Sequence, residues 1–100
     1  MIDRAVSKHG VSIRLTDERW AHVKEEHCEL AGLRRDVLDT IARPERILAG
    51  GDGELMAVRE LEEGKHLVAI YRELNGDGFL ITAFLTRRIR SFSKRRQLWP

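Results

Sequence analysis

Four side chains in this 100-residue sequence are of types suited to moving a proton or holding an anion: His27, Arg59, Tyr71 and Thr82. An imidazole exchanges protons near neutral pH. A guanidinium fork grips two oxygens of one anion. Tyrosine and threonine hydroxyls donate hydrogen bonds. A second feature is charge. Arg87, Arg88, Arg90, Lys94, Arg95 and Arg96 form a block without a single acid, and all 16 acids lie at or before Asp77. Residues 1–86 carry 12 Lys and Arg against those 16 acids, a net −4, while residues 87–100 carry a net +6. Such a block suits a nucleic acid or an acidic protein. The plainer alternative is a solvated tail or helix face.

The elements that position these groups follow from periodicity. Residues 1–10 carry little pattern. Val11 to Leu15 alternates apolar and polar, as a short strand does. Thr16 is a good helix cap, with Asp17 and Glu18 favourable in the first turn. A helix from Asp17 to about Cys28 places Trp20, Val23 and His27 on one face. His27 there is either a structural histidine or an acid–base group. A second helix from about Leu33 to Ala42 carries Leu33, Val37, Leu38 and Ile41 inward and ends before Pro44. Strand signals follow at 46–49, 55–61, 67–73 and 79–86, with turns at Gly50–Gly53, Glu62–Gly64 and Asn75–Gly78. Alternation puts Leu55, Ala57, Arg59 and Leu61 on one face, Leu67, Ala69 and Tyr71 on another, and Leu80, Thr82, Phe84 and Thr86 on a third. Residues 87–97 suit a short helix or a last strand. The expected architecture is α+β: two N-terminal helices packed on a curved, mostly antiparallel sheet of about four strands, in one domain spanning 1–100.

Composition is that of a globular protein, 42% hydrophobic and 34% charged. With one cysteine, Cys28, no intrachain disulfide is possible, and a free thiol suits a reducing cytoplasm. No leader pattern and no apolar run of about 20 residues is present, so no membrane is expected as a partner.

The stretch Ile13 to Trp20 with Glu26-His27, the Ala57-Val58-Arg59 run, Val68 to Arg72, and Ile81-Thr82-Ala83-Phe84-Leu85-Thr86 resemble the phage-type nucleases of the barnase–EndoU–colicin–RelE-like superfamily. The resemblance covers about residues 11–99. It implies metal-independent cleavage of RNA, with no cofactor, by a toxin paired with an antitoxin protein. RNA brings its own nucleophile, the 2′-hydroxyl, and the product is a 2′,3′-cyclic phosphate. On this resemblance His27 is the acid or base, Arg59 clamps the phosphate, and Tyr71 and Thr82 donate to it. The block Arg87, Arg88, Arg90, Lys94, Arg95 and Arg96 holds the RNA backbone.

Competing readings are weaker. His22 and Glu26 stand four residues apart beside His27 and Cys28, but no second cysteine or HExxH pattern completes a metal site. Cys28 follows His27 directly, and adjacent helical residues do not face each other. A non-catalytic RNA-binding or regulatory module would use the same basic block. A structural subunit of a larger complex is the remaining alternative, and the oligomeric state stays open.

Overall fold

The computed structural model, which describes residues 1–100, begins with a strand where the sequence carries little pattern. β1 (Ile2–Val6) pairs antiparallel with β2 (Ser12–Thr16). The sequence hides β1 because its large apolar residues, Ile2 and Val6, are exposed. Its inward positions are Asp3, whose carboxylate takes the Arg34 Nε–H at 2.8 Å, and small Ala5.

Thr16 caps α1 (Asp17–Glu26) by accepting the Arg19 N–H at 3.0 Å. Trp20 and Val23 are buried from this helix. The helix ends about two residues sooner than its periodicity suggests, and His27 leaves it at φ −134°, ψ 73°. A 3-10 turn (Cys28–Leu30) then leads to α2 (Arg34–Ala42), which buries Val37, Leu38 and Ile41 as expected.

β3 (Arg46–Ala49), β4 (Leu55–Glu62), β5 (Lys65–Leu74) and β6 (Asp77–Thr86) form an antiparallel meander. The β5–β6 turn is Asn75-Gly76, both at positive φ (45° and 82°), the geometry of a two-residue hairpin loop. The basic segment folds as a 3-10 turn (Ile89–Phe92) followed by β7 (Gln97–Trp99), which pairs with β3. The result corrects the expected architecture. Two helices over four antiparallel strands are replaced by a seven-stranded mixed sheet of order β1-β2-β6-β5-β4-β3-β7. Beyond the four meander strands, the sheet gains Ile2–Val6 and Gln97–Trp99 and takes in the Ser12–Thr16 strand through its pairing with β6. Its one parallel pair joins Ser12, Ile13 and Arg14 to Asp77, Gly78 and Phe79.

Both helices cover one face, over a core that includes Ile13, Leu15, Trp20, Ile41, Leu67, Tyr71 and Leu80. The other face carries a smaller apolar cluster of Leu48, Met56, Val58 and Val68, with Ile70, Phe84, Ile89 and Phe92 against it. Lys8, in the β1–β2 turn, lies 5.0 Å from the centre of the Trp99 ring in β7. The two ends of the strand order therefore curl towards each other.

One irregularity decides which side chains share a face. Ile70 opposes Thr82, but Tyr71 opposes Leu80, so Ile81 is an extra residue in β6. Leu80 consequently faces the helices with Ala83, while Thr82, Phe84 and Thr86 face the other way. The regular alternation that groups Leu80 with Thr82 does not hold.

No helix is long and apolar enough to cross a membrane.

Candidate functional site

The sheet divides the four candidate residues. Arg59 and Tyr71 lie on the helix-covered face, among Leu55, Ala57, Leu67 and Ala69. Thr82 lies on the opposite face beside Phe84. His27, released from α1 at its cap, reaches the rim of that second face, with its ring 6.2 Å from the ring of Phe84. The structure thus brings His27 to the rim of the face that carries Phe84 and Thr82 and sets Arg59 and Tyr71 behind the sheet.

Arg59 is already engaged. Its Nη2 lies 3.4 Å from an Asp36 carboxylate oxygen on α2, and its Nε is buried without a partner. Tyr71 is fully buried and its hydroxyl has no hydrogen-bond partner. Burial pushes the phenol well above its ordinary range, and the negative Glu73 adds to the shift. An unsatisfied buried hydroxyl carries a desolvation penalty of about 1–3 kcal/mol. Tyr71→Phe is therefore expected to leave stability unchanged or to raise it by up to that amount, measured by urea unfolding at pH 7. A raised pKa means the unfolded phenol ionises first, so its contribution is intact below about pH 10 and falls away as pH rises beyond. The phenylalanine variant should lose less stability than the parent between pH 9 and 11. Loss of catalysis in a well-folded variant would instead show that the hydroxyl reaches a substrate.

The second face supplies groups of its own. Thr82 Oγ1 is buried and without a partner. Glu60, His66 and Thr86 are directly opposite one another across β4, β5 and β6. His66 Nε2 is 3.9 Å from Glu60 Oε2, its side chain is only 12% exposed, and its Nδ1 is buried and unpartnered. Thr86 Oγ1 accepts the Arg88 N–H at 3.0 Å, which ties the start of the basic segment to this row. His66 is diagonal to Phe84 across the β5–β6 pair, so Phe84 neighbours two histidines. Sequence reading passes over His66 because the strand signal starts at Leu67. The strand begins at Lys65, and the alternation of Leu67, Ala69 and Tyr71 already assigns His66, Val68 and Ile70 to the other face.

The basic segment does not act as one block. Arg87 reaches Glu62 at 3.4 Å, and Arg95 Nη1 donates to the Ala49 carbonyl at 3.3 Å. Arg88, Arg90, Lys94 and Arg96 make no ion pair, and neither does Arg95. The 89–92 turn lies over the second face, where Phe92 sits 6.0 Å from Phe84. His27, Phe84 and Phe92 form a row of three tilted rings, at 39° and 33° between neighbours.

Cys28 is an exposed free thiol in the 3-10 turn. His22 and Glu26 line an open groove on α1 with Thr16, Glu18 and Arg19. No three side chains of the His, Cys, Asp and Glu types gather closely enough to hold a metal ion. No family model, curated protein or solved structure matches the chain.

Proposed function

We propose that this chain is a metal-independent ribonuclease, acting as the toxin of a toxin–antitoxin pair, whose substrate lies across the sheet face turned away from the helices. The observation that carries the reading is the pair of histidines, His27 and His66, that both neighbour Phe84 on that face. They share that face with an unpartnered threonine hydroxyl, Thr82, and with the basic segment.

Cleavage through the 2′-hydroxyl needs one group to take its proton and another to protonate the departing 5′-oxygen. Two imidazoles meet both needs. Glu60 Oε2 lies 3.9 Å from His66 Nε2, close enough to orient that ring. Glu29 Oε2 lies 3.8 Å from His27 Nδ1, placed to orient the His27 ring in the same way. The Thr82 hydroxyl would donate to the phosphate as charge builds on its oxygens, a role in which preorganised donors contribute most. Arg59, paired with Asp36 behind the sheet, then supports the strand and does not touch the phosphate. The unpaired cations of residues 88–96 hold the RNA backbone, and an acidic antitoxin would neutralise the same surface.

Incubating the purified protein with a single-stranded RNA in excess EDTA tests the reading. Cleavage that persists and leaves 2′,3′-cyclic phosphate ends is the expected result. Intact RNA at every salt concentration, with retained RNA binding, would replace it by the binding-module reading.

A further inference from the structure

The 89–92 turn does more than cover the sheet. Between it and the β3–β7 edge lies a cleft of about 310 Å³ lined by Arg46, Arg90, Arg95, Ser93 and Gln97, over an apolar floor of Leu48, Ile89 and Phe92. This volume is at the lower end of the range for small-ligand sites. No acid lines it. None of its three arginines forms an ion pair, whereas Arg4, Arg14, Arg34, Arg43, Arg59, Arg72 and Arg87 each have a carboxylate within 4 Å. Arg46 comes from β3, far in sequence from the basic segment, so the three charges converge only through the fold. Arg95 is held in place by the Ala49 carbonyl.

Three guanidinium groups without an ion pair, of which only Arg95 feels a nearby acid, Glu54 in the adjoining pocket, make one small cleft that favours an anion. Planar forks match the oxygens of a phosphate. The apolar floor matters as well, because Phe92 belongs to the ring row that runs through Phe84 to His27. Aromatic faces stack bases without regard to sequence.

Given the RNA-cleaving role proposed above, we infer that the Arg46–Arg90–Arg95 cleft is a phosphate subsite for single-stranded RNA. The RNA backbone enters it after its bases cross Phe84 and Phe92 from the cleavage position at His27. The subsite fixes the register of the strand, so that the bond cut lies at a set distance from the phosphate that is held.

The test uses a fluorescent 2′-O-methyl RNA 12-mer, which has no free 2′-hydroxyl and is not cleaved, so binding is read apart from catalysis. Anisotropy titrations would compare the parent with Arg46→Gln, Arg90→Gln and, as a control of equal charge change, Arg35→Gln, an exposed residue on the helix side. The expected result is binding weakened about 5- to 10-fold by each cleft variant, with a salt slope reduced by about 1. Arg35→Gln should change affinity less than 2-fold. Equal weakening by all three variants would overturn the subsite in favour of diffuse attraction. So would an equal loss of binding to a heparin fragment, since the cleft would then serve any polyanion. Full cleavage of ordinary RNA by Arg46→Gln and Arg90→Gln, with unchanged binding, would overturn the subsite and leave the nuclease standing. Arginine-dependent binding without cleavage by the parent would do the reverse.

Discussion

His27→Ala and His66→Ala are each expected to lower RNA cleavage by about 10²–10⁴-fold, the usual contribution of a positioned acid or base, while leaving affinity for uncleavable RNA within about 2-fold of the parent. The two rings occupy different settings. His27 is a helix cap at the rim, about one third exposed and near Glu29. His66 is enclosed between Glu60 and Thr86, in the terminal pair of the β5–β6 ladder. If one removes a proton and the other supplies one, the parent has a bell-shaped dependence of kcat/KM on pH. Each variant should then lose a different limb of that bell in its residual activity. A structural role for either ring would shift unfolding midpoints and leave the shape of the pH profile unchanged. Parental rates in both variants would sink the proposed chemistry outright.

Gly78→Ala is the second large effect expected, on stability. Gly78 lies in the parallel contact between β2 and β6, opposite Ile13. A Cβ at this position would run into the Arg72 carbonyl oxygen and would stand 2.6 Å from Ile13 Cδ1. The carbonyl belongs to the neighbouring strand and cannot rotate aside as a side chain does. Ile13 is fully buried, so its side chain has nowhere to move. Overpacking of this kind costs about 1–3 kcal/mol, and each kcal/mol lowers Tm by about 4–8 °C in a domain of this size. Thermal unfolding followed by circular dichroism should show the drop. Gly51→Ala is the comparison, because a Cβ there meets nothing within 4 Å. Equal melting of the two variants would show that the β2–β6 contact yields easily.

Much of the meander is legible in sequence, because its turns are spelled by glycines and Asn75 and its strands by β-branched and aromatic residues. The first strand is not. Its large side chains point to solvent and its inward group is a carboxylate whose partner, Arg34, is 31 residues away. The extra residue Ile81 leaves no mark either, since Phe79 to Thr86 can be apolar on both faces in either register. That single insertion decides that Thr82 faces away from Tyr71. His27 is legible as a reactive type, but its position depends on the helix stopping at Glu26, and boundaries are the least determined feature of a periodic pattern. Arg59 reads as a free cation until Asp36 of α2 is placed opposite it.

The strand order also governs how the chain reaches this shape. β4, β5 and β6 pair with immediate neighbours, and their partners are close in sequence. The first hairpin has no such neighbour. Ser12 must find Asp77, 65 positions along the chain, and Ser7 and His9 are both anchored on the Glu73 carboxylate. Searching for a distant partner slows folding, since loop entropy is lost before any contact compensates for it. The penalty grows only slowly with length, by about 0.6 kcal/mol for each doubling of the loop. The amino-terminal hairpin is therefore expected to dock late, onto a meander whose strands pair with near neighbours, so that His66 and Thr82 would be in place before Ile13 is covered.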